Sequence, residues 1–205
     1  MADAIMSDTS KYLACMESIK LRLGLVNDVV NKKLMPGIEE RFAYEFVSLN
    51  LRKILELIAF SSLIANKDVY AKAHEKYTLH WKADKMLDAL ENLHPNFYPR
   101  PIELDSTNSE GVMHFRDVTD EFLTKEDFRG LYDTCSEVIH EWNPYTEKDR
   151  IINFGHPVLH WIRKIHTLLR IHYVRMIGKQ ELWIVYMDYP LDGRVHIMAA
   201  APKIE

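Results

Sequence analysis

A cationic segment in the last third of the chain holds the residues best suited to act on a phosphate group. Five residues separate Arg150 from His156. A guanidinium can stabilise negative charge on a phosphate, and an imidazole can take or give a proton near neutral pH. Four further basic residues follow, and they predict a phosphate-binding surface: Arg163, Lys164, Arg170 and Arg175. An ordinary solvated face of a helix explains the same four residues.

A second polar group lies on an otherwise apolar helix. Glu45, Arg52 and Glu56 form a narrow strip at helical spacing, and Arg52 and Glu56 are four residues apart. Charges on a buried helix must be paired or must line a cleft. The strip therefore predicts either a buried ion-pair network or part of a ligand-binding pocket.

Histidines supply the third set of candidates. His140 precedes a turn containing Asn143 and Tyr145, so it could be an acid–base group or could cap a helix end. His172 falls inside an apolar stripe. We expect it to be a core residue whose ring contacts one acceptor, Glu45 or Glu56.

Common site motifs do not account for this sequence. His156 and His160 are four residues apart, which can suit zinc on a helix, but no HExxH motif or CxxC pair accompanies them. Glycine-rich nucleotide-binding motifs and the GxSxG motif of hydrolases are also absent from the sequence. We therefore predict no metal and no cofactor.

The elements that must position these residues are mostly predicted helices. Apolar residues at spacings of three and four predict helices over 7–34, 36–66, 68–93, 124–143 and 157–177. The helix over 36–66 is apolar around most of its surface, which is typical of a helix buried in the middle of its domain. Thr124 and Asp127 resemble a capping box at the start of the fourth helix.

Two segments differ from this pattern. Residues 95–123 predict an irregular excursion or a small hairpin, and residues 181–201 predict a β-hairpin around Asp192-Gly193. The expected fold is thus mainly α: a single domain over 1–205, with a bundle of about five long helices from 7–93 and 124–178. The helix over 36–66 is expected at its centre, and the small hairpin at its C-terminal end.

Composition narrows the class of protein. The chain has 205 residues and a net charge of −4, with 47% hydrophobic residues, which excludes a wholly disordered chain. Cys15 and Cys135 lie in apolar helical patterns and indicate reduced core thiols, so we expect a cytoplasmic location. No apolar run is long enough to predict a membrane span, and the first residues do not resemble a signal peptide.

The order of long helices and the Arg150–His156 spacing resemble the HEPN (higher eukaryote and prokaryote nucleotide-binding) superfamily. That resemblance implies a helical bundle and a metal-independent ribonuclease of a bacterial defence or toxin–antitoxin system. It also implies that His156 is the general base and that Arg150 stabilises the transition state. Arg163 and Arg170 would hold flanking phosphates, in a site shared across a dimer.

Two functions follow from the sequence. One is the ribonuclease, with RNA as partner. The other is a non-catalytic helical module that binds a partner protein or a small ligand. A homo-oligomer fits both, because Trp183, Tyr186 and Tyr189 predict an exposed aromatic run on the C-terminal hairpin.

Overall fold

The computed structural model describes residues 2–73, 83–141, 143, 145 and 152–200. These residues contain six helices and five strands. The helices are α1 (Ala2–Val30), α2 (Glu40–Ala65), α3 (Lys67–Ala73), α4 (Ala83–Leu93), α5 (Lys125–Ile139) and α6 (Val158–Leu169). The strands are β1 (Arg100–Thr107), β2 (Met113–Asp117), β3 (Ile171–Arg175), β4 (Leu182–Tyr186) and β5 (His196–Ala200).

Helix α2 packs against α1, α4 and α5. Its most deeply buried residues include Leu51, Ile54 and Ile58, which recur at spacings of three and four and form one continuous apolar face. Phe42 and Leu49 are 47% and 45% exposed, so one side of the helix remains open to solvent. The helix is therefore central but not fully enclosed.

The start of α5 confirms the sequence-based prediction. The Thr124 hydroxyl accepts a hydrogen bond from the Asp127 amide at 3.1 Å, and the Asp127 carboxylate accepts one from the Thr124 amide at 3.0 Å. This capping box satisfies two amides that the first helical turn leaves without a partner. It fixes the position of Asp127 beside α6.

All five strands belong to one antiparallel sheet in the order β2-β1-β3-β4-β5. Side chains alternate between its two faces, so His172 and Val174 point into the main core whereas Tyr173 and Arg175 lie on the other, outer face. Pro101 lies at the start of β1, where the strand pairs with β3 before β2 begins. A proline is tolerated at this position because it lies near the first residue of the strand, where one backbone donor is lost, and its carbonyl still accepts from the Val118 amide at 3.2 Å.

The sheet is strongly curled. Strands β2 and β4 are separated by two strands, a distance of about 14 Å in a flat sheet. Yet the rings of Phe115 on β2 and Tyr186 on β4 are 6.5 Å apart, and the Tyr186 hydroxyl lies 3.9 Å from the sulfur of Met113. The β1–β2 hairpin therefore bends over the outer face, and the enclosed side chains form a second small core around Ile102, Ile184 and Tyr186.

The prediction of a mainly α bundle with one small hairpin is wrong, because a five-stranded sheet supports the helices. The main reason lies in residues 171–177, which we predicted as the end of a helix. The helix ends at Leu169, and residues 171–175 form β3, the middle strand of the sheet. Gly178, with φ of 75°, is part of the turn into β4 and not a helix cap.

The aromatic run on the C-terminal hairpin is also not where we expected it. Trp183 and Tyr186 are each only 6% exposed, since Trp183 faces the helices and Tyr186 faces the curled hairpin. The observation that suggested a homo-oligomer is therefore lost, and the oligomeric state stays a prediction. Among the described residues, no helix combines the length and apolarity that crossing a membrane requires.

Candidate functional site

Arg52 connects α2 to α5. Its guanidinium donates to Glu56, to the Ser136 hydroxyl and to the Tyr132 hydroxyl, each at 3.2 Å, and it also lies 4.9 Å from the centroid of the Tyr132 ring. Lys53 donates to the second oxygen of Glu56 at 2.9 Å. The donors and acceptors of this strip are thus used within the protein, as in a structural lock between two helices.

The other residues of the strip and the following turn do not join Arg52. Glu45 accepts from Arg41 at 3.1 Å, and Arg41 also reaches Glu141 at 3.3 Å. His140 is exposed at the end of α5, and the Asn143 side chain accepts the Tyr145 amide at 3.0 Å in a local turn.

Arg52 and His156 lie on different sides of α5. Arg52 contacts Tyr132 and Ser136, whereas Gly130 lines the cleft beside His156. Two residues along a helix correspond to about 200° of rotation, so Gly130 and Tyr132 face in nearly opposite directions. The structure therefore separates the polar strip from the cationic segment.

His172 is fully buried and is paired with Tyr12, not with the expected Glu45 or Glu56. Its Nδ1 lies 2.9 Å from the Leu169 carbonyl, which can only accept, so Nδ1 carries the hydrogen. Nε2 then accepts from the Tyr12 hydroxyl at 2.8 Å. Burial lowers the pKa of His172 to about 4, so the ring is a neutral core group at pH 7.

His156 begins a cluster at the N-terminal end of α6. Its ring stacks on that of His160 with centroids 4.3 Å apart, and both rings meet Trp161 edge to face. The Trp161 indole donates to the Phe154 carbonyl at 3.1 Å, which holds the preceding loop against the helix. His156 is exposed, whereas Nε2 of His160 is buried, without a hydrogen-bond partner in the described residues, at 3.8 Å from Glu121.

Lys164 is not part of a free basic surface. Its side chain is only 9% exposed, and its ammonium contacts Asp127 at 2.7 Å and Glu121 at 3.1 Å. Burial works against ionisation of Asp127, but the bonds from Lys164 and from Thr124 together lower the pKa of this carboxyl group. Lys164 therefore fastens α6 to α5, and two carboxylates already balance the charge for which it was predicted as a phosphate ligand.

A cleft of about 470 Å³ opens beside His156. Leu131, Phe154 and Trp161 supply apolar lining, and Glu126 lies at its edge. The volume falls in the range of small-molecule sites, and the lining mixes aromatic and polar groups. A planar ring could enter this cleft next to the His156 imidazole.

Arg163 and Arg170 do share one exposed side of α6, as the sequence predicted. His166 lies between them on the same side, and His156 precedes them at the start of the helix. We call these four residues the α6 ridge. Arg170 approaches Glu103 at 3.9 Å, but that carboxylate is bound more closely by Arg116 at 2.9 Å, so the ridge keeps a positive character.

Arg175 lies apart from the ridge because it belongs to β3 and faces the outer side of the sheet. Arg150 lies outside the described residues. Within the described part of the chain, no group of three or more His, Cys, Asp or Glu side chains could hold a metal ion.

Sequence reasoning missed Trp161 and Glu121 as members of the cluster that His156 and His160 form, and it did not single out the exposed His166. The position of His166, three residues after Arg163 and four before Arg170, was a usable signal for its place on the same side of the helix. Nothing in the sequence around Glu121 indicates that its segment crosses α6, where the Leu123 amide donates to the Lys164 carbonyl at 3.1 Å.

Comparison with known proteins adds no assignment: no protein-family model, curated protein or solved structure matches this chain.

Proposed function

We propose that this protein binds single-stranded RNA along the α6 ridge and cleaves it without a metal ion, with His156 as general base. The observation that carries the proposal is the alignment of exposed Arg163, His166 and Arg170 behind the exposed His156. At a rise of 1.5 Å per residue, the ridge extends for about 20 Å. That length is enough to contact several successive phosphates.

The chemistry requires only groups that RNA and the protein supply. His156 takes the proton of a ribose 2′-hydroxyl, and the 2′-oxygen attacks the adjacent phosphorus. The bond from phosphorus to the 5′-oxygen breaks, that oxygen takes a proton from solvent, and His156 returns to solvent the proton that it accepted. The products are a 2′,3′-cyclic phosphate and a 5′-hydroxyl end, so no other reactant is consumed.

The surroundings of His156 support this role. Stacking on His160 and contact with Trp161 hold the imidazole at the mouth of the cleft. A base of the bound strand can enter the cleft lined by Phe154 and Trp161, since bases of single-stranded RNA commonly stack on aromatic side chains. The sequence resemblance adds Arg150 as the group that stabilises the transition state, which remains a prediction from the sequence.

Cleavage of a labelled single-stranded RNA in excess EDTA tests the proposal. We expect cleavage by the wild type, loss of cleavage in His156→Ala, and no change in the control His114→Ala, which removes an exposed histidine from β2. RNA with 2′-O-methyl groups should bind but stay intact, because it lacks the nucleophile. Equal cleavage by wild type and His156→Ala would remove His156 from the mechanism.

Binding can be tested separately from cleavage with the 2′-O-methyl RNA. Arg163→Gln should weaken binding and reduce the slope of log affinity against log salt by about 0.7, the value for one phosphate contact on a single strand. An exposed cation away from the ridge, Lys33→Gln, is the matched control. Equal salt slopes for the two variants would exclude the ridge as the RNA path.

A second candidate function has its own observation. A cavity of about 600 Å³ lies between the end of α1, the start of α2 and residues 157–158. Val29, Val47 and Val158 supply apolar lining, with Lys32 and Glu40 among its charged residues. Such a cavity favours a module that binds a small apolar ligand.

Fluorescence of an apolar dye such as anilinonaphthalene sulfonate tests this alternative. Ala43→Phe places a larger side chain in the cavity and should abolish dye binding, whereas Ala14→Phe on the exposed side of α1 should not. Unchanged dye binding in Ala43→Phe would exclude the cavity.

A further inference from the structure

The outer face of the sheet carries a second cationic region, on different elements from the α6 ridge. Tyr173 on β3 lies opposite Arg100 on β1, so their side chains share this face. Arg175, two residues along β3, also lies there, with its guanidinium carbon 5.6 Å from the centroid of the Tyr173 ring. The aromatic ring thus has one arginine opposite it on the neighbouring strand and a second two residues along its own strand.

Neighbouring turns position these cations and add to them. The Asn96 side chain accepts from Arg100 at 3.5 Å, and the Asn96 amide donates to the His94 ring at 3.0 Å. The turn between β3 and β4 brings Lys179 next to Arg175, and a small cavity of about 130 Å³ lies between this turn and His94. We call Tyr173, Arg100, Arg175, Lys179 and His94 the Tyr173 patch.

The charge of the patch is not neutralised within the protein. Arg100, Arg175 and Lys179 are exposed, and among the described residues none of them forms an ion pair. Among the described residues that line the same cavity, Glu181 is the one acidic residue. The contrast with Lys164, which is held by two carboxylates, indicates that this region is complementary to an external anion.

The combination of ring and cations narrows the ligand class. An inorganic anion needs only the cations, and an apolar ligand needs only the ring. Single-stranded nucleic acid uses both, because its bases stack on aromatic rings while its phosphates contact Arg and Lys, and the half-buried Tyr173 keeps part of its ring accessible. We propose that the Tyr173 patch binds single-stranded nucleic acid, with a base against Tyr173 and the backbone phosphates on Arg100, Arg175 and Lys179.

This inference goes beyond the proposed cleavage, because it concerns a separate surface and requires neither His156 nor the ridge. Ten-nucleotide oligomers of uridine and of deoxythymidine, each with a fluorescent end label, provide the probes. Anisotropy gives the dissociation constant at several salt concentrations, and inorganic polyphosphate serves as a competitor that carries charge but no base. His156→Ala in the background prevents cleavage from affecting the measurement.

Tyr173→Leu keeps an apolar side chain in the small core but removes the aromatic ring, and we expect at least tenfold weaker binding. Arg175→Gln, at an exposed position, should reduce the salt slope by about 0.7. Tyr189→Leu is the matched control, since Tyr189 is another half-buried tyrosine near this face, stacked on His196 at 4.3 Å. It should leave affinity within twofold of the wild type.

The outcomes separate this inference from the proposed function. Loss of binding in Tyr173→Leu and Arg175→Gln, with Arg163→Gln unchanged, supports the patch and contradicts the ridge. Equal affinity in Tyr173→Leu and Tyr189→Leu, together with an unchanged salt slope in Arg175→Gln, overturns the patch whatever the ridge variants do. Complete displacement by polyphosphate at equal phosphate concentration would also overturn it, because the base would then contribute nothing. Stronger binding of the uridine oligomer than of the deoxythymidine oligomer would support the patch and assign its ligand as RNA.

Discussion

Acidification should destabilise this protein through His172. In the folded chain the imidazole is fully buried, with Nδ1 donating to the Leu169 carbonyl and Nε2 accepting from Tyr12. A proton on Nε2 would place a charge in an apolar core and would face the Tyr12 hydroxyl with a second donor. In the unfolded chain the same ring takes a proton freely.

The size of the effect follows from the two proton affinities. Burial lowers the pKa of His172 from 6.5 to about 4. A tenfold difference in proton affinity corresponds to about 1.4 kcal/mol. The unfolded state therefore binds the proton first as the pH falls, and about 3 kcal/mol of stability present above pH 6.5 is lost by about pH 4.

Urea unfolding at intervals between pH 7.5 and 4 measures this loss. The free energy of unfolding should fall by up to about 1.4 kcal/mol per pH unit from this group alone. His172→Gln retains a donor and an acceptor but cannot ionise, so its stability should depend less steeply on pH. His140→Gln, at an exposed position, is the control and should follow the wild type.

The test is the difference between the proteins in the slope of unfolding free energy against pH. Carboxylates that titrate in the same range are common to all three proteins and contribute equally. If wild type and His172→Gln lose stability at the same rate between pH 6.5 and 4, the buried neutral ring is not the source of the acid sensitivity.

Four further substitutions test the contacts between helices and the cap of α5, with Lys53→Ala as the control for Arg52→Ala. Arg52→Ala should lower the free energy of unfolding by about 2 to 3 kcal/mol, because partly buried acceptors on α5 lose their donor. Lys53→Ala should lower it by less than about 1 kcal/mol, since the lysine of this ion pair is exposed. Lys164→Met should cost about 2 kcal/mol at pH 7. That deficit should shrink as the pH falls below 4, because the pKa of Asp127 is lowered in the folded state and the stability it contributes is lost on protonation. Thr124→Ala should cost about 1 kcal/mol through loss of the capping bond.

For each of these substitutions, a specific result would contradict the expected one. Similar costs for Arg52→Ala and Lys53→Ala would show that the strip is not a lock. A Lys164→Met deficit that stays constant while Asp127 becomes protonated in the wild type, as followed by NMR of its carboxyl group, would exclude Asp127 as the main partner. A Thr124→Ala protein as stable as the wild type would mean that solvent replaces the cap.

The helices could be predicted where local signals and packing agree. The apolar stripe of α5 and its Thr124 cap depend on residues within a few positions of one another, so the sequence contains the full information. Residues 171–175 were harder, because His172 and Val174 fit both a helical stripe and a strand face. Only the presence of β1 and β4 on either side decides for a strand, and those neighbours come from distant parts of the chain.

The candidate site could be predicted only in part, because spacing along the chain shows which residues share a side of a helix but not which residues are paired. Arg163 and Arg170 are seven residues apart on one helix, so their common exposure follows from helical geometry. Lys164 looked equivalent to them in sequence, but its partners Glu121 and Asp127 come from the segment before and at the start of α5. Pairing of this kind depends on tertiary contacts that spacing along the chain does not encode.

The first helix has a consequence for how the chain reaches its native state. Tyr12 bonds His172, Glu17 accepts the Val195 amide at 3.0 Å, and Lys20 reaches Asp188 at 2.5 Å. Each of these partners lies at least 160 residues further along the chain than the α1 residue that it contacts. During translation the apolar side of α1 can therefore pack first against α2, and it gains its contacts with α6 and β5 only after most of the chain has been made. Contacts of such long sequence separation slow folding and prolong exposure of apolar surface, so newly made chains should depend on chaperones for longer than their length alone suggests.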